Sequence, residues 1–195
     1  MGKNFNNWGE KMDKKTKFWV FSGILIAAVF VLTFTIKIPL LTGYFNIGDV
    51  IIMLAAILFG KGIGFLSGSF GSALSDIASG YLVYAPFTFI IKGLEGYICG
   101  LIFEKLEKGK NQNLGFITST ILSGIWMAVG YFFAEAFVLK YVSSALNVNR
   151  DLQFGFKTAL VNLPFNLLQG ILSAAIAIIL VVPLYKNKFI GKMRT

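Results

Sequence analysis

Residues 43–100 read GYFNIGDVIIMLAAILFGKGIGFLSGSFGSALSDIASGYLVYAPFTFIIKGLEGYICG. The run is almost wholly apolar and crowded with Gly and Ser, yet it carries Asp49, Asp76, Lys92 and Glu95. Apolar length on this scale calls for lipid as the solvent. Small residues let helices approach closely there. Ionisable groups at membrane depth are costly enough to mark function.

The rest of the chain fits that reading. Of its 195 residues, 56% are hydrophobic and only 14% charged, where soluble domains carry about a quarter. No second composition regime appears, so one membrane domain is expected over residues 18–184, between a basic arm (1–17) and a basic tail (185–195). The first apolar run, 18–36, is too long for a secretory h-region and has no small-residue cleavage site, which makes it a retained span. The chain has no His and a single cysteine, Cys99. An internal disulfide and a Ser-His triad are thereby excluded, and Cys99 reads as packing. No metal constellation is visible among the scattered carboxylates. The net charge of +9 lies in clusters at span ends and not on a basic face interleaved with aromatics. It therefore points to anionic lipid and away from nucleic acid.

The expected fold class is all-α and integral to the membrane, with six spans: 18–36, 48–60, 62–78, 85–103, 114–139 and 156–184. Pro39 and Gly43 break the chain into an outer loop after the first span. Span two is short and forms a tight hairpin with span three, whose Gly60, Gly64, Gly68 and Gly71 leave one face almost bare for packing. The GKGIG sequence there lacks the Lys-Ser/Thr ending and the strand of a Walker loop. Pro164 is expected to interrupt span six. Six spans put both termini on one side. That side holds thirteen of the eighteen Lys and Arg and the other side holds four, with Lys92 inside a span. The asymmetry predicts cytoplasmic termini.

The candidate chemistry lies toward the opposite end. Lys92 and Glu95, three apart on span four with Thr88 one turn above, sit about 10 and 15 Å deep. A mutual ion pair there is either structural or part of a ligand pocket. Asn162, Asn166 and Gln169 make one polar stripe on span six, suited to interhelical bonds or to a neutral heterocycle. Glu135 and Tyr131 share a face of span five, with Trp126 about two turns deeper. Tyr84 stands at the interface. Asp49 reads as a helix cap, with Asn46 as the alternative, and Asp76 as a partner for Ser or Tyr in the outer turn. Gly23, Ala27 and Ala28 form a small-residue stripe on span one, for packing within the chain or against another subunit.

The segments GYFNIGDVIIMLAAILFG and GSFGSALSDIASGYLVYAPFTFIIKGLEGYICG resemble the substrate-binding S components of energy-coupling factor (ECF) transporters, over roughly residues 18–184. The chain is most similar to the riboflavin-type branch, which also holds members for pyridoxine, hydroxymethylpyrimidine and pantothenate. The resemblance implies a vitamin-binding membrane subunit without ATPase activity or cofactor, which docks to a transmembrane coupling subunit carrying two ATPases. It puts the ligand in the outer half, between the first outer loop and spans four to six. Tyr84, Thr88, Lys92, Glu95, Trp126, Tyr131, Glu135, Asn162, Asn166 and Gln169 are then the expected contacts. Gly23, Ala27 and Ala28 would face the coupling subunit, although their spacing departs from the family's Ala-x-x-x-Ala. The alternatives are a self-sufficient carrier or channel, which calls for inverted repeats or a continuous polar path, an intramembrane enzyme, which calls for a catalytic constellation, and a structural membrane subunit.

Overall fold

A computed structural model describes residues 13–39, 44–107, 112–138 and 152–186. Residues 1–12, 40–43, 108–111, 139–151 and 187–195, which include most of the basic arm and of the basic tail, lie outside those residues. Helix α1 (Lys14–Thr35) is capped by Asp13, whose carboxylate accepts from the Thr16 amide at 3.0 Å. Two short strands follow, β1 (Lys37–Pro39) and β2 (Tyr44–Asn46), paired antiparallel with Ile38 opposite Phe45. Helix α2 (Gly48–Phe59) comes next, then a rod built of α3 (Lys61–Leu66), a π-turn (Ser67–Gly71) and α4 (Ser72–Ala78). Helix α5 (Ala85–Leu106) and helix α6 (Gln112–Phe133) follow, the latter passing into a second π-turn (Ala134–Val138). Helix α7 (Leu152–Lys186) ends the bundle.

Among the described residues, six helical rods therefore stand where six spans were expected, with two corrections. The loop after α1 contains a β-hairpin. Helix α7 runs through Pro164 without interruption. Proline removes one backbone donor, and a helix held on one side by neighbours tolerates that loss.

Among the described residues, four segments are long and apolar enough to cross a membrane: Lys14–Thr35, Ala85–Leu106, Gln112–Ala136 and Gly155–Tyr185. Helix α2, with 12 residues, extends only about 18 Å and has nearly all its side chains buried. It is the inner post of the bundle. The outer surface carries Ile24, Val31, Leu114, Ile121, Ile171 and Ile179, all exposed. So large an apolar girdle is a liability in water and is ordinary in lipid.

The rods pack closely because glycine faces glycine. A Cβ on Gly64 would lie 2.7 Å from that of Ala56 and 2.9 Å from the Gly96 carbonyl oxygen. A Cβ on Gly71 would lie 2.6 Å from the Val29 Cβ. Gly68 abuts the Lys92 carbonyl. The bare face expected from the glycine spacing is thus pressed against α1, α2 and α5. Gly60, at φ 102°, makes the reversal between α2 and α3 in a region that other residues rarely adopt.

The half of the bundle near Lys14 and Lys186 has an apolar core. Met53, Ile57, Cys99, Phe103, Phe116 and Val181 form its core. Phe103 stacks on Phe116 with ring centroids 5.0 Å apart, and the Tyr185 ring meets both edge-on. The Tyr185 hydroxyl donates to Glu107 at 2.9 Å, and Lys61 pairs with Glu104 at 2.9 Å. The fully or nearly buried ionisable groups among the described residues, Asp49, Asp76, Lys92, Glu95 and Glu135, lie in the other half.

Candidate functional site

The first turn of α2 starts the site. Ile47 holds the N-cap position with no side-chain cap bond, and Asn46 Oδ1 accepts the Gly48 amide at 2.9 Å, while Asp49 is engaged elsewhere. Asp49 is fully buried. Its Oδ1 is bonded by the Lys92 ammonium, which also lies 3.2 Å from Glu95 Oε2. Its Oδ2 accepts from Gln169 Nε2 at 2.8 Å. Gln169 Oε1 in turn accepts the Asn46 amide at 3.0 Å. The expected Lys92–Glu95 pair is therefore present, and Asp49, read from sequence as a cap, is the third member of the cluster. Removing one member would leave a buried charge without its partner, which costs several kcal/mol.

Above it opens a hollow, at the end of the bundle away from Lys14 and Lys186. Counted out into the open solvent at its mouth, its non-atom space is about 500 Å³, while the centre of a water-sized sphere reaches about 40 Å³. Seven sequence-predicted contacts line it: Tyr84, Thr88, Lys92, Tyr131, Glu135, Asn166 and Gln169. Thr88 Oγ1 and Tyr131 Oη lie 3.1 Å apart, and the Lys92 ammonium stands 5.6 Å from the Tyr131 ring centroid. Asn166 makes no side-chain hydrogen bond among the described residues, so its amide is available to a guest.

Three expected contacts are absent from the lining, each because a neighbour already holds it. Glu95 lies below Lys92, one helical turn deeper. Trp126 donates its indole N–H to the Ile91 carbonyl at 3.2 Å. Asn162 Nδ2 donates to Glu135 Oε1 at 3.0 Å, and so orients a lining residue from behind.

The structure adds lining residues that the sequence reading did not select, among them Tyr44, Asn46, Asp76 and Tyr81. Tyr44 Oη donates to Asp76 Oδ1 at 2.5 Å, in keeping with the tyrosine partner expected for Asp76. Burial, and then the Asp76 carboxylate, push the Tyr44 phenol well above its ordinary range. Lys37 at the rim donates to Ser79 Oγ and lies over the Phe34 and Tyr44 rings. Desolvation lowers its ammonium pKa, and Asp76 works against that shift. The β-hairpin thus brings two side chains against α4 and closes one side of the hollow. The signal for Asp49 and Asp76 was in the sequence, since both are carboxylates inside apolar runs.

On α1, Gly23 and Ala27 are exposed and Ala28 is half-buried. A Cβ on Gly23 would meet nothing within 4 Å. The described residues contain no group of three or more His, Cys, Asp or Glu that could hold a metal ion. The site offers hydrogen bonds, aromatic walls and buried charge, the makings of a small-molecule pocket.

Comparison with known proteins gives a consistent picture. The family model described as ECF-type riboflavin transporter, S component, matches residues 13–186. A Pyrococcus woesei protein described only as uncharacterized is 43% identical over 106 residues, covering 53% of this chain and 68% of its own length. The thiamine precursor transporter HmpT of Lactococcus lactis subsp. cremoris (strain MG1363) is 30% identical over 171 residues, covering 86% of this chain and 87% of the relative. The solved S component of a bacterial ECF transporter superposes with a TM-score of 0.61 at 22% identity, over 89% of this chain and 99% of that one. The fold is shared with that structure.

Proposed function

Because the chain belongs to the family of ECF-type riboflavin transporter S components, we propose that the hollow bounded by Tyr44, Asp76, Tyr131 and Asn166 is where it holds its vitamin. The chain is a membrane-embedded uptake subunit of an ECF transporter for a vitamin or vitamin precursor. Membership implies an ECF module with a transmembrane coupling component and ATPase partners. The substrates considered are pyridoxine, hydroxymethylpyrimidine, pantothenate and riboflavin. HmpT, the lactococcal relative, is a thiamine precursor transporter, which supports a heterocyclic precursor among them.

The observation that carries the reading is the division of the bundle. One half is packed with apolar and aromatic side chains. The other encloses a hollow lined by hydroxyls, amides and carboxylates. A binding subunit closed at its inner end needs this asymmetry. A self-sufficient channel needs a polar path through both halves. The Lys and Arg asymmetry supports cytoplasmic termini, which turn the hollow outward. Gly23, Ala27 and Ala28 are then the face offered to the coupling subunit. The loaded chain docks there, ATP hydrolysis by two partner ATPases tips it in the bilayer, and the hollow opens inward. The chain itself binds and hydrolyses no ATP.

Mass spectrometry of the small molecule carried through a gentle purification tests the assignment. One B-type vitamin or precursor per chain is the expected result. Protein that carries none, and takes up none from a B-vitamin panel, removes the vitamin reading.

A further inference from the structure

We infer that Asp76 is the residue by which the hollow reads its ligand: Oδ2 of the buried carboxyl takes an N–H or O–H from the guest, while Tyr44 holds Oδ1. The inference rests on the hollow being the vitamin site and names the group that the site requires on what it takes.

Asp76 lies on α4, in the lining of the hollow, and is 3% exposed. The Tyr44 phenol, from β2, donates to its Oδ1 at 2.5 Å. Its Oδ2 is buried and has no hydrogen-bond partner among the described residues. Neighbouring polar groups are engaged elsewhere. Lys37 is bonded to Ser79. Lys92 reaches Asp49 and Glu95. The Thr88 hydroxyl lies 3.1 Å from Tyr131 Oη.

A buried acceptor without a donor is costly to the folded chain, and folded proteins leave few of them. Inside a binding hollow that cost is offset when a guest brings the donor. Exocyclic amines, imide N–H groups and hydroxyls on a small heterocycle all carry one. A site built to bond such a group rejects the analogue that lacks it, because the buried acceptor is then left unmade again. Tyr44 is a positioning residue in this scheme. Its phenol occupies Oδ1 and leaves Oδ2 for the ligand. Asp76→Asn reverses the reading: the Tyr44 phenol donates to the new amide oxygen, which sets an NH2 donor where the acceptor stood.

Calorimetry on the purified full chain tests this with hydroxymethylpyrimidine, pyridoxine, pantothenate and riboflavin. Each is paired with analogues in which one N–H or O–H donor is replaced by hydrogen or, for the riboflavin imide, by N-methyl. The expected result is binding by at least one parent compound, with one of its analogues at least about tenfold weaker. Asp76→Asn should weaken that parent at least about tenfold and the analogue hardly at all, so that the difference between them collapses. The thermal midpoint of the ligand-free variant should stay level or rise, which a merely structural role for Asp76 does not predict. Tyr44→Phe should weaken the parent and keep the difference. If Asp76→Asn does not fold, Asp76→Ser, which also removes Oδ2, should show the same collapse. Analogues that all bind as tightly as their parent overturn the role of Asp76 and leave the vitamin reading standing. So does a difference that survives the loss of Oδ2, since the donor then goes to another residue. Binding by no compound removes the vitamin reading and this inference with it.

Discussion

Gln169 on α7 donates its side-chain amide to Asp49 on α2 at 2.8 Å, joining residues 120 positions apart. The same Gln169 accepts the Asn46 amide from β2, and Asp49 takes the Lys92 ammonium from α5. One buried chain of polar contacts therefore ties the hairpin to three helices directly beneath the hollow. Any shift of the hairpin or of α7 is felt at the ion cluster.

Removing the central cation should be severe. Lys92→Met leaves Asp49 and Glu95 facing each other in a dry interior, and should destabilise the fold by about 3–5 kcal/mol. The triple change Lys92→Met, Asp49→Asn, Glu95→Gln removes the uncompensated charge and should recover most of that loss. Denaturant titration in mixed micelles reads both. Equal destabilisation by the single and triple variants would mean that the charges are not what matters.

Lining residues and backing residues should behave differently. Asn166→Ala touches the hollow and should weaken ligand binding at least about tenfold with little change in stability. Trp126→Phe loses only a hydrogen bond to the Ile91 carbonyl. It should cost about 1 kcal/mol of stability and leave affinity nearly unchanged. Paired measurements of midpoint and dissociation constant separate the two patterns.

Two glycines provide a second contrast. A side chain on Gly96 runs into the Gly64 carbonyl, so Gly96→Ala should destabilise the fold by about 1–3 kcal/mol. Gly23 faces open space. Gly23→Leu should leave stability and ligand affinity intact while reducing co-purification with the coupling subunit. Normal recovery of the complex by Gly23→Leu would remove the stripe from the docking face.

Tyr44 makes the bundle sensitive to alkali. Its phenol is held above the ordinary value by burial and by Asp76, so the folded state keeps the proton more tightly than the unfolded chain. The associated stability is complete below the unfolded value of about 10, and falls as pH rises above it toward the folded one. Tyr44→Phe should flatten the loss of stability above about pH 10. Thermal midpoints at pH 8, 10 and 11 give the comparison.

The six rods were legible because apolar length and Gly–Pro punctuation are properties of the sequence alone. The hairpin was not. Three-residue strands give no alternation to read, and Pro39 and Gly43 speak only for a loop. Pro164 reads as a break when its helix is considered alone, but the neighbouring helices hold α7 together. The polar stripe of α7 was visible in its spacing. Which of its members meets the hollow depends on depth and on neighbours: Asn162 is turned to Glu135, Gln169 to Asp49, and Asn166 remains for a guest. Asp49 shows the limit most clearly. A carboxylate in a first helical turn has an adequate local explanation, and its true partners lie on other helices.

The most direct test of the account is difference density in an experimental structure of the ligand-loaded protein. The account predicts one small molecule above the Lys92 cluster, in contact with Asp76, Tyr131 and Asn166. Ligand density in the apolar groove between α6 and α7, beside Gly124 and Gly170, with the hollow empty would contradict it.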